Sequence, residues 1–126
     1  MPYTILIADD NAAVRHSLRS CLEQHNDWQV CGEAENGKEA VEKVTALHPD
    51  VVILDFQMPV LNGLEAARQI SIIAPNLPIL MLTLYKSEQL WWEAQAAGIR
   101  EVISKSDGGP KQLLVSLRCC QDESGA

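Results

Sequence analysis

The chain has 126 residues, 47% of them hydrophobic, which suits one compact domain with a continuous core. A formal net charge of -7 argues against a surface built to hold nucleic-acid phosphates, which needs clustered Lys and Arg. No basic segment followed by an apolar stretch opens the chain and no run is apolar enough to span a bilayer, so a soluble cytoplasmic protein without membrane or direct nucleic-acid contact is expected.

Ile5-Leu6-Ile7-Ala8 reads as a first strand, almost continuously apolar as for a parallel strand covered on both faces. Asp9-Asp10-Asn11 follows, then a helix with Val14, Leu18 and Leu22 at helical spacing. Trp28 to Ala34 alternates more, which predicts a second strand at a sheet edge. Asn36-Gly37 opens a second helix whose buried stripe is Val41, Val44 and Leu47, and His48-Pro49-Asp50 ends it. Val51-Val52-Ile53-Leu54 is a third strand running straight into Asp55. Asn62-Gly63 opens a third helix and Pro75 to Pro78 follows it. The fourth strand, Ile79 to Leu82, ends at Thr83, and the fourth helix is closed by Gly98. Trp91 and Trp92 are adjacent on that helix, point about 100° apart and are not expected to be both fully buried. Val102-Ile103-Ser104 is the fifth strand, followed by Lys105, and the last helix is expected after Asp107-Gly108-Gly109, with Pro110 in its first turn and Leu113, Leu114 and Leu117 turned inward.

The four cysteines form no CxxC pair, and His16, His25 and His48 are scattered. Reduced thiols packing as small residues, and surface or packing histidines, are expected in place of disulfides or a His/Cys metal site.

Strict strand-helix alternation implies right-handed crossovers and a five-stranded, doubly wound α/β domain, in which ligands bind beyond the carboxyl ends of the strands. That rule selects Asp9 and Asp10, Asp55, Thr83 and Lys105. Taken singly each has an ordinary explanation: Asp9-Asp10-Asn11 as a helix cap, Thr83 as a strand end, Lys105 as a solvated charge. Together they put three carboxylates, a hydroxyl and an ammonium over one sheet edge. Three such carboxylates repel unless a cation joins them, and hard oxygen ligands suit Mg²⁺. Lys105 and Thr83 then provide a charge and a donor for an anion beside the metal. Asp55, rooted in a buried strand, is placed to attack phosphorus and carry an acyl phosphate.

These residues resemble the receiver domains of bacterial two-component response regulators. The resemblance rests on Ile-Leu-Ile-Ala-Asp9-Asp10-Asn11, on Pro49-Asp50-Val-Val-Ile-Leu-Asp55-Phe-Gln57-Met58-Pro59 with Asn62-Gly63, on Leu-Met-Leu-Thr83 and on Ile-Ser-Lys105, in that order. It implies a flavodoxin-like sheet with strand order 2-1-3-4-5, a receiver spanning residues 1–120, and 121–126 as a short tail or the start of a linker. The stretch Val30 to Ala40, with Ser106-Asp107 after Lys105, looks most like the branch that carries helix-turn-helix DNA-binding output domains. The family pattern implies phosphorylation of Asp55 by a sensor histidine kinase or a small phosphodonor. It further implies Mg²⁺ held by Asp10, Asp55 and the Gln57 carbonyl with Asp9 acting through water, Thr83 moving toward the phosphoryl group, and Lys105 pairing with it. Slow self-hydrolysis, no further enzymatic activity, transcriptional output and homodimerisation through the face of the fourth and fifth helices complete the expectation.

Two positions depart from the family pattern. Leu84 follows Thr83 where a small residue is usual, and Val102 occupies the place of the usual switching aromatic. A pseudo-receiver that binds a partner without phosphorylation is therefore one alternative. An aspartate-nucleophile hydrolase is another, disfavoured because Gln57 stands where its acid-base Asp would be. A flavin carrier is disfavoured by Asp9 and Asp10 in place of a phosphate loop.

Overall fold

The computed structural model of the chain describes residues 2–106 and 109–124. Strands β1 (Tyr3–Ala8), β2 (Trp28–Ala34), β3 (Val51–Asp55), β4 (Ile79–Thr83) and β5 (Glu101–Ser104) alternate with helices α1 (Ala12–Leu22), α2 (Gly37–Leu47), α3 (Gly63–Ile73), α4 (Glu88–Ala96) and α5 (Gly109–Glu123). The strands form one parallel sheet in the order β2-β1-β3-β4-β5, the flavodoxin-like arrangement expected.

Alternate side chains of the inner strands feed two cores. Leu6, Val52, Leu54, Ile79 and Met81 join α2, α3 and α4 through Ala40, Val44, Leu64, Ala67, Ile70, Leu90 and Ala94. On the opposite face Ile5, Ile7, Val51, Ile53, Leu80 and Leu82 meet α1 and α5 through Leu22, Leu113, Leu117 and Cys120. Both faces being covered, β1, β3 and β4 have no polar side, and polarity is confined to their ends.

The breakers act as local chemistry requires. Asn11, Asn36, Asn62 and Ser87 are N-caps whose side-chain oxygens accept backbone N–H groups that would otherwise be orphaned, and Asn62 with Glu65 makes a reciprocal capping box. Gly98, at φ +88°, turns the chain out of α4 with no room for a side chain beside Ser71.

The structure corrects one of these expectations and refines others. Leu47 is 41% exposed: α2 presents Ala40 and Val44 to the core, and Leu47 lies over Gly32 of the edge strand β2, where one side stays open to solvent. Trp91 and Trp92 are both substantially exposed, in an edge-to-face pair with centroids 4.8 Å apart; Leu90 and Ala94 take the buried face of α4. Cys21, Cys31 and Cys120 are at least partly buried, whereas Cys119 is exposed; all four thiols are free. Gly109 already belongs to α5, and the expected breaker Asp107-Gly108 lies outside the described residues. At its other end α5 continues past residue 120: Gln121 accepts from Trp28 Nε1 at 2.9 Å and from Arg118 Nη1 at 2.7 Å, which ties that turn to the start of β2. No helix among the described residues is long and apolar enough to cross a membrane.

Candidate functional site

At the carboxyl edge of the sheet Asp9, Asp10, Asp55, Gln57, Thr83 and Lys105 line one pocket of about 440 Å³, together with Asn11, Val14, Phe56, Leu84 and Tyr85. All six residues singled out by sequence are thereby brought together. Asp55 is the last residue of β3, its backbone within the sheet, and the residue is 5% exposed. Asp9 is 1% exposed, while Asp10 faces solvent. One carboxylate oxygen from each of the three lies within 4.8 Å of the others.

Lys105 follows β5 and reaches across the edge: Nζ is 2.8 Å from Asp55 Oδ1 and 3.1 Å from Asp9 Oδ2. Burial pushes the Asp55 carboxyl above the ordinary carboxylate range; the Lys105 hydrogen bond opposes this, while Asp9 and Asp10 reinforce it. Burial would lower the Lys105 ammonium, but hydrogen bonds to Asp55 and Asp9 outweigh it and hold the group above its usual value. One ammonium thus faces three carboxylates. This uncompensated charge on clustered hard oxygens is the donor set that a divalent cation such as Mg²⁺ fits.

Asn11, rather than either aspartate, caps α1 by accepting from Ala13 N and Val14 N. Its own N–H donates to Asp9 Oδ1 at 2.9 Å, leaving Asp9 Oδ2 for Lys105. The Thr83 hydroxyl is turned onto the β4–α4 connection, accepting from Tyr85 N at 3.2 Å and donating to Tyr85 O at 3.4 Å. Leu84 and Tyr85 are 58% and 80% exposed at the pocket mouth, and Val102 is buried against the α2–α4 core.

Two contributors are invisible in a strand-end reading. Gly63 packs directly under the pocket: a Cβ there would come within 2.7 Å of the Asp55 carbonyl oxygen, so the residue reads as a helix opener in sequence but serves as a close-approach site. Arg15 donates to the Asp9 carbonyl from one turn into α1. Only the charge pairing of Arg15 with Glu33, 18 positions apart, could have flagged it, and that needs the β2–α1 packing to be known.

Comparison with known proteins accords with this geometry. A family model described as the response regulator receiver domain matches residues 5–118. The protein-glutamate methylesterase/protein-glutamine glutaminase 1 of Methanosarcina acetivorans is 48% identical over 83 residues, covering 66% of this chain and 24% of that protein. The transcriptional regulatory protein LnrK of Bacillus subtilis is 42% identical over 101 residues, 80% of this chain and 46% of the regulator. The crystal structure of the response regulator domain of Thermotoga maritima CheB superposes with a TM-score of 0.89 at 32% identity, covering 97% of this chain and 98% of that one. The chain spans about a quarter to about half of the length of such longer curated relatives.

Proposed function

The chain belongs to the response regulator receiver domain family, and from that premise we propose that Asp55 accepts a phosphoryl group in a Mg²⁺ pocket and so switches an output. Receiver domains of this family generally bind Mg²⁺ and are phosphorylated by histidine kinases. The observation that carries the reading is the Asp55 carboxylate, buried at a strand end, 2.8 Å from Lys105 and clustered with Asp9 and Asp10.

Asp10 and Asp55 would hold the ion, with the Gln57 backbone carbonyl, and Asp9 would support it through water. The ion supplies neutralising charge to the oxygens of the transferring group. The chain's own residues do the rest. An Asp55 oxygen forms the new O–P bond as the N–P bond of a phosphohistidine, or the O–P bond of a small acyl phosphate, breaks. Lys105 exchanges its Asp55 contact for a phosphoryl oxygen, and Thr83 leaves the Tyr85 backbone to donate to another. Water attack on the acyl phosphate returns the resting state slowly, and no further enzymatic activity is assigned to this domain.

A sensor histidine kinase is the proposed donor, and a transcriptional output the proposed target, in a cytoplasmic protein whose receiver does not itself bind nucleic acid. The receiver is taken as residues 1–120, with the α5 turn through Glu123 leading into the tail or linker. Exposed Trp91 and Trp92 support a homodimer through the α4–α5 face; Trp92→Ala is expected to reduce phosphorylation-dependent self-association in light scattering, and unchanged self-association would count against that face.

The test is incubation with Mg²⁺ and acetyl phosphate. A mass gain of one phosphoryl group, absent without Mg²⁺ and in Asp55→Asn, is expected; no gain even with a cognate kinase would favour a pseudo-receiver.

A further inference from the structure

Two arginines one turn apart on α1 share a carboxylate of β2: Arg15 Nε lies 3.0 Å from Glu33 Oε1 and Arg19 Nε lies 2.8 Å from Glu33 Oε2. What distinguishes them is a third contact. Arg15 Nη1 donates to the Asp9 backbone carbonyl at 2.7 Å, and its side chain is 15% exposed against 37% for Arg19. A planar guanidinium can hold a carboxylate and a carbonyl at once because its donors form a rigid fork.

The carbonyl that Arg15 grips belongs to the peptide joining Asp9 to Asp10. That unit is planar and carries the Cα atoms of both residues, so holding its oxygen restrains the points from which both side chains leave the loop. From the β2 side Asp9 N donates to Ala34 O at 3.0 Å. The loop is thus moored to β2 twice, once by backbone and once through Arg15 on Glu33. We propose that the Arg15–Glu33 pair is a positioning device that fixes the Asp9–Asp10 peptide and with it the carboxylate spacing that receives the divalent cation, an assignment that rests on the metal reading above.

Charge and position predict opposite signs here. Removing a cation beside an acidic pocket leaves the pocket more negative, which by Coulomb attraction alone tightens Mg²⁺ binding. Losing the mooring lets the two carboxylates spread and weakens it.

Isothermal titration of the full chain with Mg²⁺, using parent, Arg15→Gln, Arg15→Lys and Arg19→Gln, decides between them, with thermal unfolding in EDTA as the fold control. Arg15→Gln is expected to raise Kd about tenfold, the low end for loss of an outer-shell partner. Arg15→Lys falls between it and the parent, since an ammonium lacks the fork, and Arg19→Gln stays close to the parent. Phosphorylation of Arg15→Gln by acetyl phosphate is slowed at low Mg²⁺ and restored at saturating Mg²⁺. Binding by Arg15→Gln as tight as the parent or tighter overturns the proposal, as does equal weakening in Arg19→Gln; if Arg15→Gln is unfolded in EDTA, parent-like binding by Arg15→Lys overturns it. A parent chain that binds no Mg²⁺ overturns the metal reading instead.

Discussion

Replacing Gly63 with Ala places a methyl group 2.7 Å from the Asp55 carbonyl oxygen, 3.0 Å from Phe56 Cα and 3.2 Å from Met81 Sδ. The first two are backbone atoms that cannot swing aside. Gly63 N donates to Phe56 O at 2.8 Å and Phe56 N to Leu82 O at 2.9 Å, so relief must move the end of β3 itself. Overpacking of this kind costs about 1–3 kcal/mol. The smaller unfolded-state freedom of Ala returns about 0.4–1 kcal/mol. The middle of these ranges is a net loss of about 1–2 kcal/mol. With an unfolding entropy of about 2.1 cal/mol/K per residue over 126 residues, that lowers Tm by about 4–8 °C. Gly32→Ala is the internal control. Its Cβ would meet Leu47 Cδ1 at 2.6 Å, but that is the tip of a half-exposed side chain that can turn into solvent. Its stability should stay within about 0.5 kcal/mol of the parent or exceed it. Urea and thermal unfolding in EDTA measure both, and Gly63→Ala should also slow phosphorylation because Asp55 shifts. Gly63→Ala as stable as the parent, or Gly32→Ala falling as far, would refute the reasoning.

Val60 holds φ +71° with its side chain 70% exposed, a conformation costing roughly 1–2 kcal/mol for an L residue. Val60→Gly gives back about 0.5–1 kcal/mol of that in backbone entropy, so a rise of up to about 1 kcal/mol in urea stability is expected, and a fall would contradict the strain. Burial pushes the Cys31 and Cys120 thiols up, whereas Cys119 is exposed. Iodoacetamide at neutral pH should therefore label Cys119 first, and the other two only as pH rises above the ordinary thiol range; simultaneous labelling would count against this. Leu84→Ala, by opening the pocket mouth, should speed both phosphorylation by acetyl phosphate and decay by up to roughly tenfold, about 1.4 kcal/mol of barrier. Rates matching the parent would remove the steric role.

Strand positions and strand-end residues were legible because the inner strands are buried on both faces, so a single polar residue after an apolar run can only mark an edge. Asp55, Thr83 and Lys105 were found that way. Leu47 misled because helical spacing does not reveal that the strand beneath it, β2, lies at the sheet edge and covers it on one side only. The Trp91–Trp92 pair shows the same limit: adjacency excluded burial of both but could not show that Leu90 and Ala94 take the inner face of α4. Gly63 and Arg15 act through contacts with backbone, and backbone proximity across elements leaves no trace in side-chain periodicity.

Phosphoryl transfer to this domain rests on one carboxylate, that of Asp55. Hydride reduction of an aspartyl phosphate leaves homoserine at the modified position, so borohydride treatment of the Mg²⁺- and acetyl phosphate-treated chain, followed by peptide sequencing in the mass spectrometer, reads the site directly. Homoserine at position 55 alone, dependent on Mg²⁺, is the predicted result; conversion at Asp9 or Asp10, or none under conditions where a cognate kinase is active, would contradict it.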